Sequence, residues 1–170
     1  APEQVLPFST GVIMESLPAE RVVAGLPVAL ADAQPHHWLQ AAPAIMTTDT
    51  FPKIAFREIH LSTGSVRIVG FCKGAGMICP NMATMLGFVA TDACVHPRLM
   101  QQLTQELAQA SFNRITVDGD TSTNDTILGL ANGASGVVAQ SAADLALLEE
   151  ALTDILGTVS HMLVMDGEGA

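Results

Sequence analysis

The sequence has 170 residues, of which 49% are apolar, 14% charged and 4% aromatic, and its mean hydropathy is +0.38. This length is ample for one domain with a hydrophobic core, and the apolar, charge-poor composition excludes an intrinsically disordered chain. The formal net charge of −10 excludes the basic surface that a nucleic-acid-binding protein needs. The three cysteines form no C-x-x-C pair, which indicates free thiols in a reducing compartment. We therefore expect a cytoplasmic protein.

Two uncharged stretches, 74–91 and 126–143, reach the length of a membrane-spanning helix. Both contain several glycine, proline or asparagine residues, whose backbone groups a lipid-exposed helix could not satisfy. These stretches are therefore interpreted as buried strands and loops. No membrane segment and no signal peptide are expected.

Turn residues and hydrophobic periodicity predict interleaved helices and strands along the chain. Pro18 opens a short helix over 18–26, and Pro35 opens a second over 35–42. Ser62-Thr63-Gly64-Ser65 predicts a hairpin turn between strands at 54–59 and 66–71. A helix is predicted over 97–112, and further strands over 85–90, 115–117 and 127–131.

The last predicted helix has the clearest pattern. Apolar residues recur every three or four positions, with Ser141 placed as the N-cap, and this stripe must be buried against something; its members are Leu145, Leu148, Leu152, Ile155, Val159 and Leu163. Low surface charge indicates a chain whose partner surface is missing, and we expect the stripe to be the exposed part. Without a regular strand–helix–strand rhythm, the elements predict a layered mixed α/β fold.

Three local motifs have more than one interpretation. Gly74-Ala75-Gly76 lacks the third glycine of a dinucleotide-binding loop, so a nicotinamide or phosphate site is not supported. The three carboxylates of 118–125 suggest a calcium loop, but Thr123 and Gly129 stand where an EF-hand needs Gly and Glu. Turns explain this composition, and no metal site is predicted. Cys79 stays open as a nucleophile, although a structural thiol is favoured.

The segment 73–88 carries the strongest signal, because Ala83-Thr84-Met85-Leu86 within it closely resembles the self-cleaving core of the ornithine acetyltransferase family. These are the bifunctional glutamate N-acetyltransferases of arginine biosynthesis. Further blocks resemble the family in order, at 6–13, 45–50, 112–125 and 166–170. The resemblance implies the family's layered mixed α/β fold with an N-terminal threonine nucleophile, here incomplete at both ends. Residues 1–170 are then the central catalytic portion of a longer chain.

The resemblance also implies self-cleavage between Ala83 and Thr84, which divides the chain into 1–83 and 84–170. The pieces, together with the missing N- and C-terminal segments, would form a heteromer. After cleavage, the Thr84 hydroxyl would attack the acetyl carbonyl of N-acetylornithine, ornithine would leave, and glutamate would take the acetyl group. No cofactor is implied, and acetyl-CoA stays open as an alternative acetyl donor.

By the same resemblance, Thr10 and Gly11 supply the oxyanion hole through a hydroxyl and a backbone N–H. The family's substrate-contacting positions match Thr47, Lys73, Thr84 and Glu168. A fixed cation at Lys73 suits an amino-acid carboxylate, and Glu168 suits an ammonium group. Without the resemblance, Thr47, Lys73 and Glu168 are interpreted as a turn threonine, a solvated lysine and a surface glutamate.

Two other functions stay open beside acetyl transfer. A related self-processing amidase or aminopeptidase would resolve the acyl-enzyme with water instead of glutamate. Alternatively, the chain is an inactive structural fragment.

Overall fold

The structure, a computed structural model, describes residues 5–8, 12, 14–79, 85–122 and 124–169. Its elements interleave helices and strands, as the sequence predicts. In chain order they are α1 (Ala19–Ala31), α2 (Trp38–Ala44), β1 (Lys53–Leu61), β2 (Gly64–Lys73), β3 (Leu86–Thr91), α3 (Pro97–Ala110), β4 (Thr126–Ala131) and α4 (Ala142–Met165). The predicted mixed α/β class is confirmed.

The four strands form one sheet in the order β1-β2-β3-β4. β1 and β2 are an antiparallel hairpin with Leu61 opposite Gly64, so the predicted turn is confirmed. β3 is antiparallel to β2 and parallel to β4, and α3 lies between the two parallel strands in the sequence. Because side chains alternate across a strand, β2 sends Ile68 and Cys72 to one face of the sheet and Phe71 and Lys73 to the other.

Helix α4 covers the first of these faces. Its N-cap is Ser141, as predicted, and Ser141 and Asp144 form a reciprocal capping box. The expected exposure of the apolar stripe is wrong, because five of its six members are at most 3% exposed against the sheet and α3; these are Leu148, Leu152, Ile155, Val159 and Leu163. Full burial of such a side chain stabilises the fold by about 1.5–3 kcal/mol. This contact forms the main core.

Exposed apolar surface lies on α1 instead. None of its described residues is buried, and five large apolar side chains are 48–73% exposed, namely Val22, Val23, Leu26, Val28 and Leu30. The helix also continues beyond the predicted 18–26, since Pro27 lies inside it. Among the described residues no helix combines the length and the apolar character needed to cross a membrane.

The predicted strand over 115–117 is wrong. A single 3-10 turn, Phe112–Arg114, follows α3, which ends at Ala110 instead of the predicted 112. The Val117 N–H then donates to the Ile78 carbonyl at 2.9 Å, so this backbone bonds to the loop after β2 and joins no strand ladder. Ile115 and Val117 are apolar because they pack against the core.

Because β2 and α4 are in close contact at Gly70, adding one methyl group there is expected to destabilise the fold. A Cβ added at Gly70 would lie 2.3 Å from Ile155 Cγ2, so we expect Gly70→Ala to lower the free energy of unfolding by about 1–3 kcal/mol through overpacking. Gly157→Ala is the control, because nothing lies within 4 Å of its added Cβ and alanine favours a helix by about 0.8–1 kcal/mol. Urea unfolding of both variants measures the difference; equal stability of the two would contradict the packing.

Candidate functional site

Three strand ends meet at one edge of the sheet. β2 ends at Lys73, β3 begins at Leu86 and β4 begins at Thr126, and the register places Lys73 opposite Leu86 and Leu86 opposite Thr126. We call this the Lys73 edge. The segment 73–88, which carries the strongest sequence signal, therefore leaves the sheet and returns to it at this edge.

Lys73 is not the solvated lysine of the alternative interpretation. It is 2% exposed, and its Nζ donates a hydrogen bond to Thr47 Oγ1 at 3.2 Å. Burial lowers the pKa of Lys73, which the negative charges of Asp49 and Asp125 only partly oppose. The structure thus brings together Thr47 and Lys73, two of the predicted substrate contacts.

Glu168 lies against the loop that follows Lys73. Its backbone N–H donates to the Ala75 carbonyl at 2.8 Å, and its side chain is exposed. A Cβ at Gly76 would lie 2.9 Å from Glu168 Oε2, so the carboxylate rests beside this glycine. The buried cation of Lys73 and the accessible carboxylate of Glu168 therefore both adjoin the loop that follows β2.

A buried ion network holds these segments in place. Lys53 Nζ is within 2.7 Å of Asp49 Oδ1 and 2.5 Å of Asp166 Oδ2, and Lys53 itself is 0% exposed. Asp166 also accepts hydrogen bonds from the backbone N–H and the hydroxyl of Thr50. The network thereby ties the start of β1 to the segment that carries Glu168.

Asp49 extends the network to Thr47 and to the residue after Lys73, beside two more of the predicted substrate contacts. It accepts the Thr47 N–H at 3.1 Å and the Gly74 N–H at 2.7 Å. Gly74 has a φ of +146°, a value that favours glycine. One carboxylate therefore fixes the backbone at Thr47 and next to Lys73.

The hydrogen bonds keep the network's carboxylates ionised. Burial alone raises the pKa of Asp49, but hydrogen bonds from Gly74, Lys53 and Thr47 outweigh it and lower the pKa below its usual value. The pKa of Asp166 is lowered in the same way, by Lys53 and Thr50 against the effect of burial. The sequence patterns did not predict this network. The one hint was Lys53, because the sequence has only two lysines and the other is a predicted substrate contact.

Asp125 also lies at the Lys73 edge, because it directly precedes the first residue of β4. Its Oδ1 accepts the Met85 N–H at 2.8 Å, while the Thr126 N–H donates to the Met85 carbonyl at 3.1 Å. Oδ2 is buried and has no hydrogen-bond partner among the residues that the structure describes. Burial raises the pKa of Asp125 to about 6, against the opposing effects of the Met85 N–H and Lys73. The sequence pattern suggested a calcium loop or a turn for this residue and gave no sign of its contact with Met85.

Earlier in the acidic segment, the Asp118 carboxylate accepts the Asp120 N–H at 3.1 Å, as in an Asx turn. Asp118 accepts the N–H groups of Met77 at 2.5 Å and Ile78 at 3.0 Å, so it pins the loop that follows β2. In the described ranges, no three His, Cys, Asp or Glu side chains are grouped so that they could hold a metal ion.

The cysteines differ in burial. Cys72 packs in the core, and burial raises the pKa of its thiol to about 12, so it is no activated nucleophile. Cys79 and Cys94 are half-buried and free.

Four predicted site residues lie outside the described residues: Thr10, Gly11, Ala83 and Thr84. The cleavage site and the oxyanion hole therefore stay predictions. Met85, the residue after Thr84, is described. It directly precedes β3 at the Lys73 edge and is hydrogen-bonded to Asp125 and Thr126.

Comparison with known proteins gives matches over the whole chain. Residues 1–170 match the profile of the ArgJ family. The chain is 53% identical over 169 residues to the "Arginine biosynthesis bifunctional protein ArgJ" of Chlorobium chlorochromatii, covering 99% of this chain and 39% of that protein. It is 54% identical to the protein of the same name from Nitratidesulfovibrio vulgaris, covering 98% and 42%. The chain thus spans about two fifths of the length of these curated relatives.

Among solved structures, one similar chain is the L-aminopeptidase D-Ala-esterase/amidase from Ochrobactrum anthropi, described as a variant of the Ntn hydrolase fold. It is 15% identical, with a TM-score of 0.45, and the match covers 71% of this chain and 42% of that one.

Proposed function

Because the chain belongs to the ArgJ family, we propose that the protein containing it transfers an acetyl group from N-acetylornithine to glutamate. Thr84 is the proposed nucleophile, released as a new N-terminus by cleavage after Ala83. The observation that supports the proposal is the Lys73 edge, where a buried cation lies beside Thr47 and the accessible carboxylate of Glu168 lies against the loop that follows β2. An α-amino-acid substrate carries the complementary carboxylate and ammonium groups.

The proposed chemistry follows from the groups that cleavage creates. A free α-amine ordinarily titrates near pH 8 and is able to take the proton of its own threonine hydroxyl. Thr84 Oγ then bonds to the acetyl carbon of N-acetylornithine, the C–N bond breaks, and the proton leaves with ornithine. The amine of glutamate attacks the resulting ester, which returns the hydroxyl and forms N-acetylglutamate. Thr10 and Gly11 are proposed to stabilise the oxyanion, where one donor is worth about 2.7–4 kcal/mol.

Charge complementarity supports the proposed substrate contacts. Lys73, held by Thr47, pairs with the substrate carboxylate, and Glu168 pairs with an ammonium group. Acetyl-CoA as an alternative donor would need further contacts, and no cofactor is part of the proposed cycle. The proposed active unit comprises the pieces 1–83 and 84–170 with the remaining sequence of the natural chain.

The test uses the full-length natural protein and its Thr84→Ala variant. Mass spectrometry is expected to show two pieces divided between Ala83 and Thr84 in the wild type and one uncut chain in the variant. Incubation with N-acetylornithine and glutamate is expected to yield ornithine and N-acetylglutamate in equal amounts, with no product from the variant.

The same assay separates the competing functions. Rapid release of acetate that glutamate does not alter would favour an amidase. An uncut wild-type chain that forms no product would favour a structural protein.

A further inference from the structure

One proton transfer in the proposed function has no acceptor among the groups named so far. In the uncut chain, the nitrogen of Thr84 belongs to the Ala83–Thr84 peptide bond, and an amide nitrogen is not a base. The free amine that serves in turnover therefore does not exist when the Thr84 hydroxyl first has to attack the Ala83 carbonyl. Self-cleavage needs another proton acceptor close to Thr84.

Among the described residues, the carboxylate of Asp125 is hydrogen-bonded to Met85, the residue that follows Thr84 in the sequence. Its Oδ1 accepts the Met85 N–H at 2.8 Å, and adjacent Cα atoms in a chain are about 3.8 Å apart. The second bond to Met85, from the Thr126 N–H to the Met85 carbonyl, fixes this backbone from the other side. A carboxylate that accepts the Met85 N–H therefore lies next to the peptide bond that joins Thr84 to Met85.

The other oxygen of Asp125 is free to accept a proton. Oδ2 is buried, and the described part of the chain offers it no hydrogen-bond donor. A buried acceptor without a donor is unfavourable, so such groups in folded proteins call for a functional or structural explanation. Here, a donor hydroxyl one residue from Met85 would satisfy it.

The surroundings of Asp125 suit a group that takes up a proton and returns it. Burial raises its pKa to about 6, while the Met85 N–H and the Lys73 cation from β2 act in the opposite direction. The side chains that share a cavity with Asp125 on α3 and its following turn are neutral; they are Gln101, Thr104, Gln105 and Asn113. A general base is most effective when its pKa lies near the working pH.

We propose that Asp125 is the proton acceptor for self-cleavage, an inference that rests on the proposed function. Asp125 Oδ2 takes the proton of Thr84 Oγ as Oγ bonds to the Ala83 carbonyl carbon. When the Ala83–Thr84 C–N bond breaks, the same proton passes to the departing Thr84 nitrogen, which leaves an ester and an amine. Water then hydrolyses the ester, restoring the hydroxyl and giving Ala83 a carboxylate.

Space for that water adjoins the group. Met85 and Asp125 line a cavity of about 270 Å³ between α3 and the start of β4. One water molecule occupies about 30 Å³ in the liquid, so the cavity has room for several.

The experiment follows cleavage of the full-length natural chain made by cell-free translation and transferred to buffers between about pH 4.5 and 8. For the wild type, we expect a rate that rises about tenfold per pH unit below pH 6 and levels off above it, because the acceptor must be unprotonated. Asp125→Asn is expected to slow cleavage at least about 100-fold and to remove this rise. Asp125→Glu is expected to restore part of the rate.

Asp120→Asn is the matched control, because it makes the same change at an exposed residue of the same segment and is expected to cleave at the wild-type rate. A rate for Asp125→Asn within about threefold of the wild type would overturn the inference. So would a wild-type rate that does not change between pH 5 and 7, a result that needs no variant to fold. If Thr84→Ala still cleaves after residue 83, the proposed function fails as well; if cleavage needs Thr84 but not Asp125, only this inference fails.

Discussion

Replacing Lys53 by methionine is expected to lower the free energy of unfolding by about 3–5 kcal/mol, because it leaves two buried carboxylates without their cation. Lys53 is 0% exposed and pairs with Asp49 and Asp166, whose side chains are 0% and 2% exposed. Methionine fills a volume similar to that of lysine, so the lost free energy of unfolding comes from removal of the positive charge and not from a cavity. Urea unfolding followed by the fluorescence of Trp38, the only tryptophan, measures it.

Arg57→Met is the matched control on the same strand. Arg57 pairs with Asp154 at the surface, with side chains 38% and 56% exposed, and such pairs contribute about 0–1 kcal/mol. Similar losses for Arg57→Met and Lys53→Met would contradict the buried network.

The pH dependence of stability follows from the same network. The pKa values of Asp49 and Asp166 are lowered in the folded state, so the unfolded chain binds more protons as the solution is acidified. Their contribution is fully present above the unfolded pKa, about 3.9, and is lost as the pH falls through the lower folded values. We expect the wild type to lose stability steeply below pH 4, and Lys53→Met to lose less there. Parallel curves for the two proteins would contradict this.

Replacing Lys73, the second lysine of the sequence, is expected to lower activity and leave stability nearly unchanged. Lys73→Met removes the cation proposed to pair with the substrate carboxylate, and loss of one partner of a buried charge pair costs about 2–5 kcal/mol. We expect kcat/KM of the full-length protein for N-acetylornithine to fall about 10²–10³-fold, since each 1.36 kcal/mol is tenfold. Steady-state assay of N-acetylglutamate formation measures it.

Stability separates this effect from misfolding. Among the described residues Lys73 forms no direct ion pair, its hydrogen bond goes to the neutral hydroxyl of Thr47, and its burial opposes the effect of the nearby Asp49 and Asp125 charges, so we expect Lys73→Met to change the unfolding midpoint little. Burial lowers the pKa of Lys73, so the wild type should lose kcat/KM at a lower alkaline pH than an ordinary lysine would allow, as the cation is lost. Unchanged kcat/KM in Lys73→Met would contradict its assignment to the substrate.

Local patterns in the sequence predicted most elements. The turn at 62–65 and the cap at Ser141 depend on residues a few positions apart, and both are confirmed. The 115–117 strand is wrong because its backbone bonds to Ile78, a partner that no local pattern reveals. The expected exposure of the α4 stripe is wrong because the sheet that covers it is assembled from distant segments.

By itself, the sequence determined the family, through ordered motif blocks, and through that resemblance it named Thr47 and Lys73 as candidate substrate contacts. Only the tertiary structure decided what holds these residues, because the groups involved are far apart in the chain. Lys53 and Asp166 are separated by 113 residues, and Asp125 bonds to Met85 across 40. Burial gives these contacts their strength, since a charge or a carboxyl removed from water depends on the few partners that the fold brings to it.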